Sequence, residues 1–340
     1  MADVAESDFL LATRGRAEEL GAWVVGAVFD ARNALAFALA DGTLHLAGTT
    51  GDWKPVTAHD GAILSASADM QEGWLTGGDD GKLMRTAPDG ATTTLADYKG
   101  KWVDHVAAHE SGLRAAAVGK ALHLLGPGGP LKTLAHPSSV GGIAFDTKGK
   151  RIAASHYNGA SLWFVGAKED KPRSLEWKGS HHAIAFSPDG THVVTAMQEP
   201  SLHGWRLTDG QHMRMSGYPG KTRSLSFTAR GRWLATSGAE SIVLWPFFGG
   251  GPMGKAPTEL AGGDAVFCTA VACHPQHEVV AAGFGDGLVL IAEIGSGKVV
   301  PVAPPSGSPV SALSWSPNGA LLAFGTEAGR AGIIDLARRP

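Results

Sequence analysis

Histidine and carboxylate side chains gather in one stretch of this chain. His156, His181, His182 and Glu199 offer imidazole nitrogen and carboxylate oxygen, the donor types that zinc accepts. Their spacing is loose, with no H-x3-H or C-x2-C pattern, so zinc is an alternative reading and no cofactor is expected. Other catalytic signatures are weaker. Gly220-Lys221-Thr222 has the end of a phosphate loop, but Met215 stands where that loop needs glycine. Neither a G-x-S-x-G turn nor His-Glu-x-x-His occurs. Asp30, Asp80, Asp104 and Glu199 could hold a cation only if the fold brought them together. Cys268 and Cys273 fall on apolar positions of a single strand and read as buried thiols.

The elements that must position these groups are announced by a repeated phrase. Its fullest copy is Ala185-Phe186-Ser187-Pro188-Asp189-Gly190, followed by Val193-Val194 and Trp205. Three short apolar runs separated by two polar turns make one unit. Aligned on the residue five before the end of the first run, the units start at Val24, Gly61, Val103, Val140, His181, Thr222, Cys268 and Val310. The spacing is 37 to 46 residues, the period of four-stranded propeller blades. Gly112, Gly149, Gly190, Gly231 and Gly319 close five of the first turns, where a tight hairpin needs positive φ.

Composition supports an all-β chain. Forty-seven Gly and nineteen Pro punctuate short runs, and only residues 14–20 carry a helix-like pattern. Radial repetition lets all 340 residues form one domain, because each blade packs on its neighbours. The formal net charge is −3 with no basic run, so the counterion-driven binding of nucleic acid is not expected. The first residues lack a basic start followed by an apolar core, so no signal peptide is expected. No apolar run is long enough to span a membrane. A cytoplasmic location is the expectation.

Leu162-Trp163, Gly204-Trp205 and Leu244-Trp245 end third runs, Ser187-Pro188-Asp189-Gly190 and Ser316-Pro317-Asn318-Gly319 form first turns, and Asp-Gly pairs stand at 41–42, 80–81 and 286–287. In these features the chain resembles WD40-repeat propellers over nearly its full length, bacterial single-domain members in particular. The Asp after each Trp is replaced by Phe164, Arg206 and Pro246. The resemblance implies a buried set of His, Ser, Asp and Trp in each blade, which unit four alone approximates with His136, Ser155, Asn158 and Trp163. It gives Glu199, six residues before Trp205, the spacing of the structural Asp. It also implies a protein-interaction scaffold, with a hydrolase or lyase using the channel as the enzymatic alternative. Eight blades are expected, with seven if the first phrase proves irregular. The last phrase leaves no room for an outer strand, so residues 8–20 are expected to supply it and close the ring.

In such blades the a–b and c–d turns share one face, and the b–c turns and d–a crossovers share the other. The second face collects His156, Tyr157 and Asn158 from unit four, His181, His182, Gln198 and Glu199 from unit five, and Tyr218 and Lys221 from unit six. This sector is the expected contact for a protein or peptide partner. The plain alternative for His181 is a satisfied core histidine. Phe247 and Phe248, in the Gly-rich loop 246–257 on the opposite face, form a second candidate contact.

Overall fold

A computed structural model describes residues 8–69, 72–262 and 265–337. The described strands form seven antiparallel sheets around a central channel, which corrects the expectation of eight blades. Six sheets have four strands, and the seventh has six. The irregularity does not lie in the first phrase, whose strands Val24–Phe29, Leu35–Leu39, Thr43–Ala47 and Lys54–Thr57 make one ordinary sheet. It lies where units four and five merge.

Two strands of 14 residues, Arg151–Phe164 and Arg173–Phe186, run unbroken through the places where turns separate other units. Tyr157 pairs with Ser180, so the b–c connection of unit four is zipped to the crossover into unit five. The chain turns there by bulging. Asn158 has φ 66, Gly159 φ 132 and Gly179 φ 110, and the register shifts between Tyr157 and Gly159. A bulge of this kind bends a strand without ending it.

Burial follows strand position. The second strands, such as Leu35–Leu39 and Arg114–Val118, are almost wholly buried and rich in alanine. A sheet covered on both faces by its neighbours reads as a continuous apolar run. The outermost strands, such as Thr92–Asp97, are mostly exposed and polar. Val24 and Val310, which open inner strands, each pack into the neighbouring sheet. A Cβ on Gly283 would lie 2.3 Å from Val310, and one on Gly325 2.3 Å from Val24. Glycine is needed at these two positions to admit the neighbouring strand.

Hydroxyls stitch the inner strands together. Ser65 accepts the amide of Val106 at 2.8 Å, Ser224 that of Val271 at 3.0 Å, and Thr269 donates to the carbonyl of Val310 at 2.7 Å. Ser311 donates to the carbonyl of Val24 at 2.7 Å, joining the last unit to the first. The final sheet gains its outer strand from Gly15–Glu19, which pairs with Arg330–Asp335. Residues 14–20, where the helix-like pattern fell, are therefore mostly strand.

Unit two is registered two residues later than its spacing suggested. Ile63 pairs with Gly78 as Val24 pairs with Leu39 and Val310 with Thr326, so Ile63, not Gly61, opens its inner strand. The equivalent residue of unit six is Thr222, whose hydroxyl is fully buried and has no partner among the described residues. An orphaned buried hydroxyl costs about 1–3 kcal/mol. Thr222→Val is therefore expected to raise the melting temperature by about 2 °C or more; a lower value in differential scanning would show that the hydroxyl has a role.

Candidate interaction rim

Correcting the register of unit two reveals one recurrent structural position. Four residues before the unit starts at Ile63, Val140, His181 and Thr222 stand His59, His136, Trp177 and Tyr218. In unit two, His59 Nδ1 lies 2.9 Å from Asp80 Oδ1 and Nε2 lies 2.9 Å from Thr76 Oγ1. In unit six, Trp245 Nε1 donates to the Tyr218 hydroxyl at 2.6 Å, which meets Thr236 Oγ1 at 2.6 Å. Burial pushes the Tyr218 phenol up to about 12. These two units carry the buried set more fully than unit four does. There Trp163 Nε1 donates to His136 Nε2 at 3.1 Å, but His136 Nδ1 has no partner among the described residues. Ala154 occupies the strand position of Thr76 and Thr236, and Ser155 turns to the carbonyl of Gly142. Burial takes His136 down to about 4.

Unit five places Trp177 at the recurrent position, where it stacks on His203 with ring centroids 3.9 Å apart. His181 lies against this group. Its Nε2 donates to the carbonyl of Trp177 at 3.1 Å and its Nδ1 meets Thr195 Oγ1 at 2.7 Å. His156 is also buried, with Nδ1 donating to the carbonyl of Tyr157 and Nε2 meeting Ser161 Oγ, both at 2.9 Å. His182 Nε2 donates to the carbonyl of Met197 at 2.9 Å. Burial, with Lys221 nearby, holds His182 at about 4. Among the described residues no group of three or more His, Cys, Asp or Glu side chains is arranged to hold a metal ion. The imidazoles of the zinc reading are engaged in the fold's own hydrogen bonds.

The carboxylates of the enzymatic reading are likewise dispersed. Asp30 sits in an a–b turn and accepts the amides of Arg32, Ala34 and Gly73. Asp80, on the other face, holds His59.

What remains open on the rim is a groove of about 600 Å³ beside the zipped crossover. Pro137, Ser138, Tyr157, Asn158, Trp177 and Lys178 line it. The Tyr157 side chain is free while its backbone is fixed. Its residue is 58% exposed, and its amide donates to Ser138 Oγ at 2.9 Å. Asn158 Oδ1 accepts the amide of Gly179 at 3.3 Å. Gln198 and Glu199 are exposed on the neighbouring turn, and Gln198 Oε1 accepts Lys221 Nζ at 2.8 Å. The structure thus brings Tyr157, Asn158, Gln198, Glu199 and Lys221 to the surface of one sector, with His156, His181 and Tyr218 buried beneath it.

The opposite face holds the phenylalanine pair. Phe247 is buried, edge-on to Phe227 at 4.9 Å and to His192 at 5.4 Å. Phe248 is half-exposed, but it lies edge-on to Trp233, with Lys255 Nζ 4.8 Å from its ring centroid. It is folded onto its own blade.

Three exposed aromatics escaped the sequence reading. Trp23 and Phe267 immediately precede the inner strands that start at Val24 and Cys268, and Trp102 precedes Val103, where unit three begins. Their common position was the available signal. Trp23 stands with Arg223 and Glu327 around the channel, where a cavity of about 610 Å³ is lined mainly by alanine, valine and leucine.

A ring of small antiparallel sheets around a channel defines a β-propeller. The family described as the anaphase-promoting complex subunit 4 WD40 domain matches residues 271–339. This match over the last part of the chain, with the ring of small antiparallel sheets, supports a WD40-repeat β-propeller. A crystal structure of the computationally designed protein Ika8 superposes with a TM-score of 0.77, covering 94% of this chain and 98% of that one at 17% identity. That likeness is one of fold. Telomerase protein component 1 of Mus musculus is 26% identical over 273 residues, which is 74% of this chain and 10% of that protein. Its Rattus norvegicus counterpart is 28% identical over 201 residues, 57% of this chain and 7% of that protein. This chain therefore spans a tenth or less of the curated relatives it matches. Among the described residues no helix is long and apolar enough to cross a membrane.

Proposed function

We propose that this chain is a non-catalytic scaffold that binds a protein or peptide on the b–c and d–a rim of units four to six. WD40 propellers are generally non-catalytic and commonly bind proteins, although a fold alone does not specify a function. The observation that carries the placement is Tyr157, a large aromatic 58% exposed on a backbone fixed by Ser138 and by the pairing with Ser180. A rigidly based exposed aromatic beside a groove gives contact area at low entropic cost. His156, His181 and Tyr218 support the rim from below, while Tyr157, Asn158, His182, Gln198, Glu199 and Lys221 offer the contacts.

Affinity capture with tagged chain, followed by mass spectrometry, tests this reading. Tyr157→Ala is expected to weaken capture of the partner about tenfold, equivalent to about 1.4 kcal/mol, with the melting temperature unchanged.

A further inference from the structure

Lys221 is held differently from the two lysines that make short ion pairs. Lys82 reaches Asp60 and Lys132 reaches Asp170, each at 2.7 Å. Lys221 instead bonds the neutral amide of Gln198, and among the described residues it forms no ion pair. Two residues on, Arg223 meets Glu327 only at 3.7 Å, with the arginine side chain 65% exposed. The two cations are near enough for Arg223 to disfavour the charge on Lys221, and Glu327 pairs with Arg223 alone of the two. Burial and the nearby Arg223 pull the Lys221 pKa down, and Lys221 in turn helps keep His182 neutral. A site that disfavours its own positive charge in this way gains from an incoming anion, which supplies the missing neutralisation.

Apolar surface adjoins these cations. The ring of Phe267, 41% exposed, lies against Gly220, the residue before Lys221. Arg223 and Glu327 border the channel cavity together with Trp23, whose side chain is also exposed. The cavity is walled there by Ala62, Ala270 and Ala312, which leaves room for an apolar side chain but offers it few polar partners. A polyanion such as nucleic acid would meet no extended basic stripe, since the chain carries 29 basic and 32 acidic residues. A short acidic segment fits the two local cations and the apolar surface beside them.

We propose that the partner recognised by this face is an acidic peptide segment, whose carboxylates are received by Lys221 and Arg223 at the channel mouth beside Phe267 and Trp23. The proposal rests on the reading that the b–c and d–a rim binds a protein partner, and it names that partner's chemistry. It also extends the contact from units four to six towards the channel.

The test is selection of a random displayed peptide library on the immobilised full chain. Wild type is expected to enrich sequences dense in Asp and Glu. A synthetic representative should bind the Lys221→Glu/Arg223→Glu chain at least about tenfold more weakly. It should bind a charge-matched Lys148→Glu/Lys171→Glu chain, altered on the opposite face, as well as wild type. A thermal melt confirms folding of each chain, and Lys221→Gln serves as the milder variant. Enrichment of neutral or basic peptides overturns the proposal. Acidic peptides that bind the swapped chain undiminished but are lost on Tyr157→Ala also overturn it, while leaving the rim reading intact. No enrichment at all counts against both.

Discussion

Asp69→Ala is expected to lower the stability of the chain by about 3–5 kcal/mol, the usual result of breaking a buried ion pair from one side. The Asp69 side chain is 2% exposed and serves two arginines from different sheets. Arg114 grips it with two bonds, Nε to Oδ1 at 2.7 Å and a terminal nitrogen to Oδ2 at 2.9 Å. Arg85 Nε adds a third at 2.7 Å. Removing the carboxylate leaves two guanidinium groups facing each other in a largely dry seam between units two and three. The Asp69→Ala/Arg114→Ala double change should recover part of the loss, because it removes one stranded charge. Urea unfolding of the three chains measures this. A loss below about 1 kcal/mol for Asp69→Ala would place the cluster with exposed pairs, which contribute little.

Mild acid is the second large effect. Burial holds His203 at about 3, with His212 adding to the shift, and holds His136 at about 4. Both side chains are buried and neutral in the fold. In the unfolded chain they titrate near the ordinary histidine value of about 6.5. A depressed folded value means that the unfolded state binds the extra protons, so stability is complete above about pH 6.5 and falls as the pH drops towards 4. By pH 5 each group contributes a loss of about 2 kcal/mol, since each unit of difference corresponds to about 1.4 kcal/mol. The urea midpoint should therefore fall steeply between pH 7 and pH 5, before carboxylates protonate. A flat profile over that interval would show that these rings accept protons without disturbing the seam of units four and five.

Much of the architecture could be read from the repeated phrase, because apolar period and turn glycines report directly on strand packing. Two parts could not. The merging of units four and five depends on whether Asn158, Gly159 and Gly179 make turns or bulges, and all three residues suit either. The register of unit two was ambiguous because Gly61 and Ile63 both satisfy a position that asks only for a small or apolar residue. That slip of two hid His59, whose partners Thr76 and Asp80 were in plain view.

Which residues share one sector of the rim was legible in the sequence, but which of them are buried was not. Histidines drew attention as chemical groups, yet His136, His156 and His181 are held in hydrogen bonds that shape the loops above them. Tyr157 belonged to the same sector, and only its exposure distinguishes it from buried Tyr218. Trp23, Trp102 and Phe267 were overlooked because an apolar residue before a strand looks like the strand itself. Their exposure follows from the ring, which turns that position outward on the face of the crossovers.

In the proposed arrangement, one face of this propeller carries the partner contact. Quantitative capture from the native cell compares wild type, Tyr157→Ala and the Lys148→Glu/Lys171→Glu chain altered on the other face. Partner recovery is expected to fall about tenfold only with Tyr157→Ala, at equal melting temperatures. Equal recovery with Tyr157→Ala, or loss confined to the Lys148→Glu/Lys171→Glu chain, would contradict this arrangement and move the contact to the opposite face.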